Sequence, residues 1–176
     1  YGNGATLPTS NDMTHEGYTF EGWYADSDFS DAAIQACYVD GTRYAAPLSV
    51  ETTALFYNMD MVTEVPDTWE ELVEEASNDG GVQFDATSIY YDLGFVRACG
   101  GYIFNYQDGA YDTTDIGLSN DGAIQAYQFI DDLCNKYNLI TADVTADIAR
   151  SNFQNGKCAY YIGGPWDIDG FESAGV

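Results

Sequence analysis

The sequence predicts an α/β fold in which helices pack on the faces of a sheet, and three observations carry that expectation. From Asp31 onward, short apolar runs alternate with stretches of helical periodicity. The clearest helix places Ala123, Ala126, Tyr127, Ile130, Leu133, Cys134 and Tyr137 at spacings of three and four. Breaks rich in glycine and asparagine, at Asn78-Asp79-Gly80-Gly81, Gly100-Gly101 and Asn155-Gly156, close the helical stretches.

Residues 1–30 differ in character from the rest of the chain. Leu7-Pro8-Thr9 and the run from His15 to Tyr24 alternate aromatic with small or polar residues, which is a short-strand pattern. Asp31 to Tyr38 reads as a short helix leading into the Asp40-Gly41 turn. Two apolar runs, Tyr44–Leu48 and Thr53–Tyr57, then predict a pair of buried strands. The polar knot Ser49-Val50-Glu51-Thr52 lies between them, and a carboxylate at such a seam must be solvated, paired or used.

Thr68 and Glu71 have capping-box spacing, and Trp69, Leu72, Val73 and Ala76 mark one face of the helix they start. Val82–Ala86 reads as a strand, Thr87-Ser88-Ile89 as a loop, and Tyr90–Ala98 as a helix. Tyr102–Tyr111 predicts a hairpin turned at Gln107-Asp108-Gly109. Ser119 is the expected cap of the long helix through Ala123 and Tyr137, and a further helix spans Thr145–Gln154. Lys157–Ile162 is the last predicted strand, broken by Gly163-Gly164-Pro165-Trp166, and no terminal helix is expected after it.

Composition narrows the possible partners. The 176 residues carry 29 acidic side chains against Arg43, Arg97, Lys136, Arg150 and Lys157, a net charge of −24. Nucleic acid and anionic membrane surfaces need basic patches, so neither is an expected partner. No apolar run approaches the roughly 18 residues of a membrane-spanning helix. With no initiator Met and no signal-peptide pattern, a mature or excised product is expected. Cys37, Cys99, Cys134 and Cys158 lie far apart without zinc-type spacing, and Cys99 and Cys134 at helical apolar positions favour buried free thiols. Asp26, Asp28 and Asp31 lack the glycine and terminal glutamate of a calcium loop, as does Asp167-Ile168-Asp169-Gly170. His15 has no second ligand in sequence, so neither a metal nor a cofactor is expected.

In open α/β sheets, ligands lie beyond the carboxyl ends of the strands. Glu51, the loop Ser88–Tyr91 and Trp166 all fall at strand ends in this reading. Acids and hydroxyls can bond sugar hydroxyls, while flat rings cover the apolar face of a sugar. Fifteen tyrosines and three tryptophans suit such a surface. The plainer alternatives are that Glu51 is a cap or ion-pair acid and that Trp166 is a core residue.

Several segments resemble one family in order and with similar spacing. They are Pro47-Leu48-Ser49-Val50-Glu51-Thr52, Leu55-Phe56-Tyr57-Asn58, Thr68-Trp69-Glu70-Glu71-Leu72 and Gly100-Gly101-Tyr102-Ile103-Phe104. Gly117 to Ala123, Phe153 to Ala159 and Gly164-Pro165-Trp166 continue the series. This pattern resembles the bacterial extracellular solute-binding proteins of the maltose/maltodextrin type, which serve ABC importers. The resemblance implies a periplasmic-binding-protein-like (type II) lobe, helices on a mixed sheet, and a non-enzymatic protein that binds oligosaccharides. It implies Glu51 as a sugar contact, Trp166 as a stacking platform, and Tyr90 as a stacking tyrosine with Tyr91 beside it. Ser88 falls where the maltose-binding type often has Glu, which points to the wider oligosaccharide class. The implied partners are an oligosaccharide and, through the complete protein, membrane permease subunits. The implied location is extracellular or cell-surface, with a lipid anchor in the full-length protein.

The resemblance covers about residues 33–176, mainly the C-terminal lobe. It sets an expected division into residues 1–30 and an incomplete lobe-like part, 31–176. Gly17 to Phe29 within the first segment resembles part of a Listeria–Bacteroides (internalin-B-type) repeat, a short β-rich, β-grasp-like module. That likeness keeps a cell-surface adhesion or spacer role as the alternative function. A glycosidase is a weaker one, since no two acids have spacing that fixes them on facing strands.

Overall fold

A computed structural model describes residues 29–107 and 110–176, in two compact units, Tyr1–Val50 and Glu51–Val176. The expected module in residues 1–30, with His15, Asp26 and Asp28, lies almost wholly outside the described residues, as does the tip Asp108-Gly109 of the predicted hairpin.

The first unit contains helix α1 (Asp31–Gln35), capped by the Ser30 hydroxyl accepting from Ala33 N–H, and a two-stranded ladder. Strands β1 (Tyr38–Val39) and β2 (Thr42–Arg43) pair antiparallel across Asp40-Gly41. Both turn residues have positive φ, as a tight hairpin of this hand requires. Tyr44–Leu48 forms no strand, contrary to the expectation from its apolar run. Its side chains face water, with Tyr44 75% and Leu48 92% exposed. Apolar composition alone supplies no ladder partner, and Pro47 removes one donor.

In the second unit, β3 (Ala54–Tyr57), β4 (Val82–Gln83) and β7 (Tyr160–Gly163) form a mixed sheet in the order β3-β7-β4. Strand β3 runs antiparallel to β7, with Ala54 opposite Gly163, and β4 runs parallel to it, with Val82 opposite Tyr160. Successive side chains of a strand point to opposite faces, and β7 divides its residues accordingly. Tyr160 and Ile162 enter a core with Leu72, Phe84, Phe95, Val96, Ile130 and Leu133, whereas Tyr161 enters one with Ala149, Phe153 and Phe171. Helices α2 (Trp69–Ala76), α3 (Ile89–Ala98) and α4 (Asp121–Asn135) therefore cover one face. Helices α5 (Ala146–Gln154) and α6 (Ile168–Ala174) cover the other, giving the layered α/β arrangement. A separate hairpin, β5 (Asn105–Gln107) with β6 (Ala110–Asp112), completes the described elements.

Helix starts follow the sequence closely. Thr68 Oγ1 accepts from Glu71 N–H at 3.2 Å and Glu71 returns a carboxylate to Thr68 N–H, so α2 begins in a full capping box. Thr145 caps α5 as expected. The cap of α4 is Asn120 and not Ser119, because the Asn120 carbonyl oxygen accepts from Ala123 N–H at 2.8 Å. Tyr127 and Tyr137 are exposed, so the buried face of α4 is narrower than its apolar periodicity.

Three further expectations are corrected. Strand β3 lies at the sheet edge with Leu55 and Tyr57 exposed, since β7 covers only one of its sides among the described residues. Cys99 and Cys134 are half-buried, although all four thiols are free; Cys37 and Cys158 are the buried pair. The chain does carry a last helix, α6, closed by Gly175 in the left-handed conformation. Gly170 within it weakens the helical pattern that sequence reading depends on. Among the described residues, no helix is long and apolar enough to cross a membrane.

Candidate functional site

Strand directions gather the candidate residues at one end of the sheet. Strands β4 and β7 are parallel, so their carboxyl ends coincide, and antiparallel β3 brings its amino end to the same edge. Glu51 stands three residues before Ala54, Ser88 five residues after Gln83, and Trp166 three residues after Gly163. The pairing register brings the strand ends that border these residues to one edge of the sheet.

Three aromatic residues meet there. Tyr90 and Trp166 bring their rings to 6.0 Å between centroids at 48°, and Tyr90 packs edge-on against Tyr91 at 5.3 Å. Tyr90 is 50% and Trp166 40% exposed, so the indole is not a core residue. Tyr91 turns inward onto the main core and is half-buried. Burial, and after it the nearby Asp167 carboxylate, raise the Tyr91 phenol above its ordinary value, with Arg150 opposing. The phenol therefore stays a hydrogen-bond donor across the neutral range.

Ser88 occupies the N-cap of α3 without making a side-chain cap bond, which leaves its hydroxyl available to a ligand. Glu51 is exposed at the same edge, and among the described residues no hydrogen bond or ion pair ties it to the aromatic group. The structure thus links Tyr90 to both Tyr91 and Trp166 through ring contacts, and the Ser88 carbonyl accepts from Tyr91 N–H at 3.0 Å, while Glu51 precedes β3 with no hydrogen bond or ion pair to the group among the described residues.

Beneath the indole lies a polar network that the sequence did not flag. A 3-10 turn, Pro165–Asp167, follows β7, and the Asp167 side chain folds back under it with the residue 2% exposed. Asp167 Oδ2 accepts from the Tyr161 hydroxyl at 2.8 Å and from Gly164 N–H at 3.5 Å. Asp167 Oδ1 accepts from Arg150 Nε, and Arg150 Nη1 donates to Asp147 at 2.9 Å. The only sequence signal at Asp167 was a failed calcium-loop match, because its partners come from α5 and β7, elsewhere in the chain. Among the described residues, no group of three His, Cys, Asp or Glu side chains could hold a metal ion.

A separate apolar groove of about 170 Å³, lined by Leu55, Trp69, Tyr91, Phe95 and Ile162 among others, borders Tyr91. Its walls include neither Trp166 nor Glu51 and offer few polar groups. Specific recognition of a polar ligand needs convergent polar partners, so the open sheet end is the better candidate.

A family model described as "Bacterial extracellular solute-binding protein" matches residues 3–176. The chain is 36% identical over 160 residues to the galactooligosaccharide-binding protein of Bacillus subtilis, covering 84% of this chain and 38% of that protein. It is 31% identical to the maltodextrin-binding protein MdxE of the same organism, covering 83% and 38%. Among solved structures, it matches the maltose-maltodextrin binding protein of Alicyclobacillus acidocaldarius with a TM-score of 0.80 and 35% identity, covering 87% of this chain and 42% of that one. A cyclo/maltodextrin-binding protein complexed with maltotetraose matches with a TM-score of 0.76 and 30% identity, over the same shares. The chain therefore spans about two-fifths of the length of these relatives.

Proposed function

The chain belongs to the family of bacterial extracellular solute-binding proteins, and from that premise we propose that it binds a neutral oligosaccharide at the sheet end bearing Glu51, Ser88, Tyr90, Tyr91 and Trp166. The observation that carries the reading is the exposed pair Tyr90 and Trp166, 6.0 Å apart beyond the strand ends. A sugar presents an apolar C–H face that rests on such rings, a contact contributing roughly 0.5–1.5 kcal/mol beyond the buried area. On this reading the Ser88 hydroxyl, which makes no cap bond, and the exposed Glu51 carboxylate bond sugar hydroxyls, and the half-buried Tyr91 backs the Tyr90 ring.

In the complete protein this site is one jaw of a clamp, serving as the substrate-binding component of an ABC sugar importer together with membrane permease subunits. The complete protein is extracellular and lipid-anchored on this reading. One jaw covers only part of a sugar, and affinity is what remains after the cost of immobilisation. Calorimetric titration of this chain with maltotetraose is expected to give a Kd no tighter than roughly 1 mM, near −4.1 kcal/mol. Trp166→Ala should abolish any sugar-induced change in tryptophan fluorescence. Micromolar binding would show that the second jaw is dispensable or supplied otherwise, and a response that survives Trp166→Ala would show that the ligand lies elsewhere.

We also propose, on sequence character, that residues 1–30 are a segment separate from 31–176. Brief thermolysin digestion is expected to leave a product starting near Asp31. A stable product starting near Glu51, where the two compact units divide, would move the boundary there.

A further inference from the structure

We propose that Asp167 is the positioning residue of the site: its buried carboxylate fixes the turn that aims the Trp166 indole at the ligand. This rests on the oligosaccharide reading and assigns a residue to it that touches no ligand.

The turn Gly164-Pro165-Trp166 runs straight into α6, with Asp167 N–H donating to Gly164 O at 3.1 Å and the amide of Ile168 donating to Pro165 O. A tryptophan on a one-turn segment, 40% exposed, would otherwise sample several rotamers. Asp167 adds three ties from inside. One oxygen binds the strand, through the Tyr161 hydroxyl at 2.8 Å, and the start of the turn, through Gly164 N–H at 3.5 Å. The other oxygen binds Arg150 on α5, itself anchored to Asp147 at 2.9 Å. The carboxylate thus joins β7, the turn and α5 at the residue that follows Trp166. Its charge is balanced by the guanidinium, without which a carboxylate in a residue 2% exposed would be strongly unfavourable.

The indole is also fitted from the other side. A Cβ built on Gly164 would come within 2.2 Å of the Trp166 ring, so the ring lies flat on bare backbone. Its orientation is set between Gly164 and the Tyr90 ring at 6.0 Å, while Asp167 sets the turn that carries it. Stacking demands that the indole plane be parallel to the sugar face, and losing it forfeits up to roughly 0.5–1.5 kcal/mol, about 2- to 10-fold in affinity. Asp167 acts on affinity through that plane.

The test uses the 176-residue chain labelled with 5-fluorotryptophan, which reports Trp23, Trp69 and Trp166 as separate fluorine resonances. Trp166→Phe identifies the signal of interest. In Asp167→Ala the Trp166 signal is expected to shift and broaden while the Trp69 signal, from the core, stays in place. Asp167→Asn keeps one acceptor oxygen and should recover part of the natural shift, which loss of general stability would not. Gly164→Ala pushes the indole directly, so a moved signal there establishes that the resonance reports indole placement. An unchanged Trp166 signal in Asp167→Ala, or in Asp167→Asn where Asp167→Ala fails to fold, overturns the assignment. Titration with maltotetraose separates the two ideas: no movement of the natural Trp166 signal at tens of millimolar, a range well above the ~1 mM set by one jaw, sinks the oligosaccharide reading alone. A natural chain that responds to sugar, with Asp167→Ala responding at the same concentrations, sinks the positioning role alone.

Discussion

Asp92→Asn is expected to remove most of a loss of stability that the natural chain undergoes as pH rises from about 4 to about 7. Asp92 sits on α3, 3% exposed, with one carboxylate oxygen buried and lacking any hydrogen-bond partner. Burial, and secondarily the charge of Asp85, push its carboxyl up to about 7. In the unfolded chain an aspartate ionises near 3.9. Below about pH 4 both states hold the proton and the group contributes nothing. Between these values the unfolded state ionises while the folded state does not, so each rise in pH favours unfolding. Above pH 7 the deficit is complete, at most about 4 kcal/mol from a difference near 3 pH units. The groups facing it on α4 are Tyr127, raised by burial and then by the Asp92 charge, and Cys134, raised by burial, then by Asp131 and then by Asp92, so neither supplies a compensating cation. Urea unfolding of both chains from pH 4 to pH 8 measures the difference. Parallel curves would mean that the carboxyl finds water or a partner when it ionises.

Gly81→Ala is expected to destabilise the chain by more than about 3 kcal/mol, the sum of a forbidden dihedral and a collision with backbone. Gly81 has φ +83, and a Cβ there would lie 2.0 Å from the Leu139 carbonyl oxygen. Its N–H closes α2 by donating to Ala76 O at 2.9 Å, and Val82 then starts β4 directly. Neither the turn nor the segment at Leu139 can move without disturbing buried Val82 or Leu139. For a chain of this size the melting midpoint should fall by roughly 6–12 °C. Gly156→Ala is the control, with φ +62 and nothing within 4 Å of a new Cβ, so it isolates the dihedral cost. Equal effects of the two substitutions would show that the close approach to Leu139 is unimportant.

The two residues illustrate what a sequence can and cannot disclose. The helix stop at Asn78–Gly81 was legible because glycine at a helix end is a local signal. The capping box at Thr68 and Glu71 was legible for the same reason, since its partners are three residues apart. Strand alternation made the layered fold and the shared sheet end readable, and the family resemblance supplied Glu51, Ser88, Tyr90, Tyr91 and Trp166. The contact between Tyr90 and Trp166 joins α3 to the turn after β7, and no local pattern encodes it. Asp167 was invisible for a stronger reason: a buried acid looks like any other acid until Arg150 and Tyr161 are seen around it. Tyr44–Leu48 misled in the opposite direction, because an apolar run states a preference for burial and not the presence of a partner strand.

The pairing of β3 with β7 bears on the order of assembly. Ala54 meets Gly163, and the segment between them holds β4 and helices α2 to α5. The ends of a loop roughly a hundred residues long are costly to bring together, and nothing rewards that closure until the second end exists. Helices form from neighbouring residues and need no such closure, whereas the three-stranded sheet is complete only when β7, its central strand, has joined both β3 and β4.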